Sequence, residues 1–189
     1  MSAATRGPFE RADDPAGAHQ GPGDRHPIVI AEELITDKGV SAGDEWITVA
    51  APRLREALAA LKEDGYRLLV FLSCVDHLAD ASREWPARFE LLYELRDMEK
   101  LRDLRVRAFV DGDPPQIDSV HDLFPPANWD ERETYDMFGV VFNGHPELTR
   151  ILMPDDWVGH PLRRDYPVGG EPVEFSEEHE TWLTPPTEA

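Results

Sequence analysis

The chain has 189 residues, enough for one domain with a buried core and too few to predict two independent domains. Its 38 Asp and Glu residues outnumber 19 Lys and Arg residues, so the formal net charge is −19. This charge repels phosphate backbones and argues against nucleic acid as a partner. Cys74 is the only cysteine, which excludes a disulfide framework and a set of thiolates for zinc or an iron–sulfur cluster.

The two ends of the chain differ in composition from its middle. Residues 1–27 are rich in Gly, Pro, Ala and Asp, which predicts a disordered arm without the apolar segment of a signal peptide. Residues 165–189 contain four prolines but also aromatic anchors such as Phe175 and Trp182, which fit an extended tail on a surface or a frayed terminus. The longest apolar run is too short to span a bilayer, so no direct membrane insertion is expected.

Strands and one long helix are predicted in the first part of the middle region. Four segments have the pattern of strands, namely residues 46–50, 66–76, 88–97 and 104–111. The run 66–76 is apolar throughout, which suits a strand at the centre of a sheet. Short links favour antiparallel neighbours. A helix is predicted from Arg53 to Gly65, because Pro52 opens it, its leucines recur at helical spacing and Gly65 ends it.

Two further helices are predicted after the strands. A short one covers residues 118–124 and ends before Pro125. The other covers residues 129–138, where Asn128 is a candidate N-cap with Glu131 as its capping-box partner. Its aromatic and sulfur-bearing side chains spread over more than one face, which predicts a helix that is covered on several sides. They are Trp129, Tyr135, Met137 and Phe138.

Charged residues in the stretch ERETYDMFG, residues 131–139, have an ordinary explanation in part. Acidic side chains near a helix N-terminus are favoured by the helix dipole, and Arg132 with Asp136 has the spacing of an i,i+4 pair. A metal-dependent hydrolase built on His145, His160 and the carboxylates of this helix is an alternative. Both histidines lie in His-Pro dipeptides, and no pair of ligands has the spacing of one helix face.

The segment LTRILMPDDWVGHPLRRDYP, residues 148–167, carries Arg150, Arg163 and Arg164 beside Trp157 and Tyr166. Arginine, tryptophan and tyrosine together are typical of interface hot spots. The arginines therefore indicate an acidic surface nearby, which is either the helix at 129–138 or a partner protein.

Residues 131–167 closely resemble the signature segment of the 30 kDa subunit family, whose bacterial members are called the C subunit, of proton-pumping NADH:quinone oxidoreductase, respiratory complex I. The resemblance covers about a fifth of the chain. It departs mildly at Arg164, where many relatives have Lys, and at Thr149, where some have Arg. It is carried by the ERE triplet, Asp136, Phe138-Gly139, His145-Pro146, Arg150-Ile151, Trp157, Gly159, Pro161 and Arg163 through Pro167.

The resemblance implies an α+β fold, with a two-layer α/β core, a mixed and largely antiparallel sheet, and a long extended C-terminal tail. The implied organisation is a disordered arm at 1–27, a core at 28–139 that includes the helix 129–138, and an extended interface segment with tail at 140–189. The interface and signature residues are Glu131, Arg132, Glu133, Asp136, Phe138, Gly139, His145, Arg150, Trp157, Arg163, Arg164 and Asp165.

The resemblance also implies a role without catalysis in this chain. The protein would be a scaffold of the hydrophilic arm, held at the cytoplasmic side of the cell membrane, with no catalytic, cofactor or metal site of its own. FMN and iron–sulfur clusters would lie in partner subunits, and the expected partners are subunits D (49 kDa type), B and I. The equivalent subunit of a related membrane-bound hydrogenase, or of a dehydrogenase with another electron donor, is a second alternative.

Overall fold

The computed structural model describes residues 30–41 and 44–167. The predicted arm at 1–27 and the tail beyond Pro167 lie outside these residues. In the part described, the strands are β1 Ile35–Ser41, β2 Asp44–Ala50, β3 Leu68–Asp76, β4 Phe89–Asp97, β5 Arg102–Val110, β6 Gln116–Asp118 and β7 Val141–Asn143. The α-helices are α1 Leu54–Glu63 and α2 Ala127–Phe138, and short 3-10 turns occupy Glu32–Leu34 and Ala51–Arg53.

Five strands form the main sheet in the order β1-β2-β5-β4-β3. The pairs β1–β2, β5–β4 and β4–β3 are antiparallel, whereas β2 and β5 are parallel. Strands β6 and β7 form a separate parallel pair. The predicted α+β class with a mixed, largely antiparallel sheet is therefore confirmed.

One face of the sheet supplies the core. Alternate residues of β4, including Leu91, Tyr93 and Leu95, are fully buried, as residues of one face must be when side chains alternate along a strand. Helix α1 adds Leu54 and Leu58 to the same core, at the spacing that places them on one side of a helix. The predicted helix between Arg53 and Gly65 is confirmed.

The prediction that residues 66–76 form a central strand was wrong, because β3 is an edge strand of the sheet. Leu69, Leu72 and Cys74 of β3 point into the core, which explains three of the eight apolar residues in the run. Val70 and Phe71 are exposed instead, beside a register irregularity between Leu69 and Phe71. An apolar run shows that both sides of a strand are apolar, but not that both sides are covered within the same chain.

The predicted helix at 118–124 was also wrong. Residues 116–118 form β6, and the amide of Ser119 continues its pairing by donating to the carbonyl of Asn143. A turn follows, in which the amide of Phe124 donates to the carbonyl of Val120. Two prolines come next, which disfavour helical backbone before them and remove amide donors, so the turn does not extend into a helix.

Candidate functional site

Helix α2 and the loop that folds over it, residues 144–167 (the signature loop), contain the predicted signature residues. The helix begins at Ala127, and Pro126 precedes it without a side-chain cap. The capping box predicted at Asn128 and Glu131 is therefore wrong, because a proline suits the start of a helix and moves it two residues earlier. Gly139 ends the helix with a left-handed φ of 75°, as predicted.

Glu131 is fully buried and fastens the turn before α2 to the helix. Its carboxyl group accepts hydrogen bonds from the Ser119 hydroxyl and, at 2.7 Å, from the Val120 amide. Burial raises the pKa of Glu131 to about 7; these two bonds oppose the rise, and the nearby Asp122 and Asp130 add to it. This carboxyl group therefore connects the turn at Ser119 and Val120 to α2 and has a raised pKa. It does not cap the helix.

His145 joins the start of the signature loop to the first turn of α2. The Glu147 amide donates to its Nδ1 at 3.1 Å, so its Nε2 carries the proton and donates to the Asn128 carbonyl at 3.1 Å. The side chain is fully buried, with Nε2 at 4.0 Å from the Glu131 carboxylate. Burial lowers the pKa of His145, which is consistent with a neutral ring.

Asp136 is the main anchor of the signature loop. Its buried carboxylate accepts hydrogen bonds from three successive amides, those of Ile151, Leu152 and Met153, at 3.0, 2.8 and 2.8 Å. The guanidinium of Arg150 donates to its other oxygen at 2.5 Å. Burial alone would raise the pKa of Asp136, but these donors outweigh it and the pKa is lowered. The carboxylate is ionised and satisfied within the chain.

Arg132 does not pair with Asp136 as the i,i+4 spacing predicted. Its guanidinium donates to the backbone carbonyls of Thr149 and Arg150 at 3.1 and 3.0 Å. The buried carboxylate of Asp136 pairs with Arg150 instead. Arg150 lies in the loop directly before the residues whose amides bind the same carboxylate. Glu133 points to solvent. Arg132 therefore binds the loop, whereas Glu133 remains on the surface.

The C-terminal end of α2 is bound by the second half of the loop. His160 Nδ1 lies 2.9 Å from the Asp136 carbonyl, and Arg163 Nε donates to the carbonyl of the buried Phe138. These contacts satisfy carbonyls that a helix end leaves without partners. A Cβ atom at Gly139 would lie 2.5 Å from the Arg163 guanidinium and 2.6 Å from the His160 ring. Glycine is thus required there for its φ and for the space that it leaves.

Arg164 and Asp165 attach the end of the loop to the sheet. The Arg164 amide donates to the carboxylate of Asp76 at 2.9 Å, and Arg88 bridges Asp76 and Asp165 at 2.7 and 2.8 Å. Burial opposes ionisation of Asp76, but the bonds from Arg88 and from backbone amides lower its pKa to about 2. Sequence reasoning missed Asp76 and Arg88, since neither belongs to a motif and they are brought together only by the pairing of β3 with β4.

Trp157 stacks on Tyr166, with ring centroids 6.5 Å apart and ring planes inclined by 20°. Gly159 has a φ of +89°, and a Cβ atom there would lie 2.8 Å from the Tyr166 ring. Arg150 donates to the carbonyls of Trp157 and Gly159. The middle of the loop is therefore packed on itself as well as on the helix.

The geometry does not assemble the hydrolase site considered as an alternative. His145 contacts Asn128, whereas His160 contacts Asp136, eight residues further along α2 and thus about 12 Å away along its axis. Within residues 30–41 and 44–167, no group of three or more His, Cys, Asp or Glu side chains is placed to hold a metal ion. Of the arginines predicted to face an acidic surface, Arg150 and Arg163 meet carboxylates and carbonyls of this same chain.

The sequence of the chain matches a known protein family. The family model described as the 30 kDa subunit of respiratory-chain NADH dehydrogenase matches residues 47–172. The C subunit of NADH-quinone oxidoreductase from Salinispora tropica is 44% identical over 147 residues, which cover 76% of this chain and 58% of the relative. The corresponding protein from Acidothermus cellulolyticus is 46% identical over 146 residues, which cover 76% of this chain and 74% of the relative. The chain thus spans under three fifths of the Salinispora relative.

Solved structures with a similar fold include a trypsin-resistant fragment of Nqo5. It is 32% identical with a TM-score of 0.56, and the match covers 59% of this chain and 89% of the fragment. A chain of the membrane-bound sulfane sulfur reductase, an archaeal respiratory membrane complex, has a TM-score of 0.59 over 81% of this chain and 87% of its own length. At 24% identity, the second match shows a shared fold alone.

Proposed function

The chain belongs to the 30 kDa subunit family of the respiratory-chain NADH dehydrogenase, and from this premise we propose that it is a scaffold subunit of an NADH:quinone oxidoreductase, complex I. The assembled enzyme passes electrons from NADH through FMN and iron–sulfur clusters to quinone, and couples this transfer to proton translocation. In this proposal FMN and the clusters are held by other subunits, and this chain holds partners in position without taking part in the chemistry.

The observation that carries this proposal is the use of the ionisable signature residues. Asp136 and Arg150 bind each other and the loop backbone, Arg163 binds the end of α2, and Asp165 binds Arg88. Side chains that form such bonds within the chain hold the backbone in place. A catalytic acid or base, by contrast, must be free to exchange a proton with the substrate. The signature segment is thus best explained as a fixed surface on which partner subunits bind.

Cys74 fits the same assignment. The thiol is buried, and burial raises its pKa, so it stays protonated at neutral pH. A protonated thiol is neither a nucleophile nor a metal ligand. Cluster ligands would therefore come from partner chains, and among the proposed partners D, B and I the cluster-bearing subunits are B and I.

We place the protein at the cytoplasmic side of the cell membrane, held there by the complex. Neither helix among the described residues is long and apolar enough to cross a membrane. The attachment in this proposal is therefore to other subunits of the hydrophilic arm.

The test is co-purification with activity. The full chain, tagged at its N-terminus, is expressed in its host, and membranes are solubilised in a mild detergent and separated on a native gel. We expect the tagged chain in a large complex that oxidises NADH with quinone, and mass spectrometry should identify subunits D, B and I in that band. Recovery of the chain only as a free protein would refute the proposal. Recovery with a hydrogenase or with a dehydrogenase for another donor would replace it with that alternative, which the names of the relatives do not favour.

A further inference from the structure

Exposed apolar side chains form a band across the outward side of α2. Phe71 of β3 is 51% exposed, Trp129 of α2 is 60% exposed and Leu152 of the signature loop is 56% exposed. We call this surface the α2 strip. Its apolar members are Leu68, Val70, Phe71, Trp129, Ile151 and Leu152.

Contacts on both flanks of α2 connect the parts of the strip. On one flank, α2 packs against β3, and the backbone amide of Leu72 faces the carboxylate of Asp130 closely enough to oppose the rise in its pKa. Phe71 precedes Leu72 and Trp129 precedes Asp130 in the chain. The edge strand and the first turn of α2 are therefore neighbours, and Phe71 and Trp129 are exposed on these two elements.

On the other flank, Arg132 connects the helix to the loop. Its guanidinium lies 5.5 Å from the centre of the Trp129 ring and donates to the carbonyls of Thr149 and Arg150. The next amide along the loop, that of Ile151, is bound to Asp136. The exposed residues of the loop are thus fixed beside the helix and form the far side of the strip.

An uncovered apolar edge is unusual for a protein that works alone. Sheet edges are ordinarily protected by charged side chains, proline or a covering element, because an apolar edge promotes association. Leu68, Val70 and Phe71 provide no such protection. The register irregularity between Leu69 and Phe71 interrupts the backbone pattern that an added strand needs, so this edge favours docking through side chains.

The charge within the strip selects the kind of partner. Asp130 and Glu133 lie one turn apart on α2, and neither forms an ion pair with any of the described residues. Burial raises the pKa of Asp130 and repulsion from Glu133 adds to the rise, whereas the Leu72 amide opposes it, so the two carboxylates are close enough to repel each other. Arg132 is already committed to loop carbonyls. The strip is therefore apolar with an unpaired acidic centre.

We propose that the α2 strip is the docking surface for another subunit of the complex, which presents apolar side chains around a lysine or arginine that reaches Asp130 and Glu133. This inference rests on the proposed function and identifies the surface and the chemistry of the contact. A cation in this position relieves the repulsion between the carboxylates, while the surrounding apolar groups cover Trp129 and the edge of β3.

Two other occupants are disfavoured by charge. A second copy of the chain would bring the same carboxylates together, between molecules that each carry a formal charge of −19. The chain's own residues 168–189 contain six glutamates and neither lysine nor arginine. Both occupants would add negative charge to an acidic centre, which leaves a cationic surface of a different subunit.

The first experiment identifies the occupant by photo-crosslinking in assembled complex. A photoreactive amino acid is placed at position 133 or at position 71 of the full chain, and membranes are irradiated before native purification. We expect adducts with one other subunit of the complex, at a peptide that contains lysine or arginine for position 133. Adducts with a second copy or with residues 168–189, or the absence of any adduct, would overturn the inference.

The second experiment measures assembly with matched controls. Glu133→Lys places a cation against the partner's cation and should lower the amount of assembled complex roughly ten-fold, and Phe71→Ser should lower it by a smaller factor. The controls are Glu32→Lys and Val40→Ser, at exposed residues on the opposite, β1 side of the sheet, where Glu32→Lys also removes an exposed ion pair with Lys38. The controls should assemble as wild type does.

Folding and catalysis are separated from docking by two further readouts. The purified Glu133→Lys and Phe71→Ser chains should unfold at the same urea concentration as wild type, and each complex that assembles should turn over at the wild-type rate. Normal assembly of both variants would overturn the proposal that the α2 strip is a docking surface, and would leave the proposed function standing. Absence of the wild-type chain from an NADH-oxidising complex would instead refute the proposed function itself.

Discussion

Arg150 connects Asp136 to the middle of the signature loop. One nitrogen of its guanidinium donates to the Asp136 carboxylate at 2.5 Å, and the other donates to the carbonyls of Trp157 and Gly159 at 3.0 and 2.9 Å. Asp136 meanwhile accepts three amides of the loop. A single ion pair therefore fixes two separate parts of the loop to one helix.

Removal of this carboxylate should be strongly destabilising. In Asp136→Ala, Arg150 keeps a largely buried charge without its partner and three amides lose their acceptor, so we expect the free energy of unfolding to fall by ~3–5 kcal/mol. Glu133→Ala is the matched control on the same helix, and its exposed side chain predicts a change within ~0.5 kcal/mol. Urea unfolding of the purified chains measures both. Equal losses in the two variants would contradict the anchoring role of Asp136.

The buried carboxyl group of Glu131 predicts a specific pH dependence. Burial raises its pKa from 4.5 to about 7, so between these pH values the folded chain holds a proton that the unfolded chain has released. The free energy of unfolding should therefore fall as pH rises through this window, by up to about 3 kcal/mol. In Glu131→Gln this contribution is absent.

The test for Glu131 compares the free energy of unfolding of wild type with that of Glu131→Gln, measured by urea unfolding from pH 4 to 8. The pKa values of His145 and His160 are lowered by burial, so these residues act in the opposite direction, and the difference removes their contribution. The stability of wild type relative to the variant should decline with rising pH. A difference that stays flat would show that folding does not raise the pKa of Glu131, and a difference that increases would show that folding lowers it.

Gly139 and Gly144 allow two effects of adding a side chain to be separated, namely steric contact and backbone strain. Both have a positive φ, 75° and 82°, but an added Cβ meets Arg163 and His160 at Gly139 and open space at Gly144. Gly144→Ala should cost about 1–2 kcal/mol of unfolding free energy from backbone strain alone. Gly139→Ala should cost more, because the contacts at the end of α2 must also move. Similar costs for both variants, measured by urea unfolding, would argue against tight packing at Gly139.

Truncation of the two ends should have unequal effects on assembly. Residues 1–27 carry few large apolar side chains, whereas the residues after Pro167 include Phe175 and Trp182. We therefore expect a chain without residues 1–27 to assemble as wild type does, and a chain that stops at Pro167 to assemble less. Native gels stained for NADH oxidation measure both. Assembly of both truncated chains as well as wild type would show that the tail contributes no binding.

Four of the seven strands described, β2 to β5, were predictable from the sequence because period and apolar content report directly on local structure. The predicted β4 and β5 segments match Phe89–Asp97 and Arg102–Val110 to within two residues. The edge position of β3 was not predictable, since it depends on which neighbours pair with it. The pattern of the strand records only that apolar groups are present on both sides.

The site residues were identifiable, but their partners were not. Asp136 and Arg150 are fourteen residues apart and meet because the loop returns over the helix, so no local spacing rule relates them. Glu131 illustrates the reverse error, because its position near a helix start suggested a cap. The bonds from Ser119 and Val120 come from a turn whose location only the fold reveals.

The three amides that bind Asp136 hold this part of the loop without using its side chains. Any residue except proline offers the same amide at position 152, so the attachment persists when Leu152 is exchanged. Leu152 can therefore diverge among relatives, and follow changes in whatever it touches, without loosening the loop. Natural variation at position 152 should include many kinds of side chain but rarely proline.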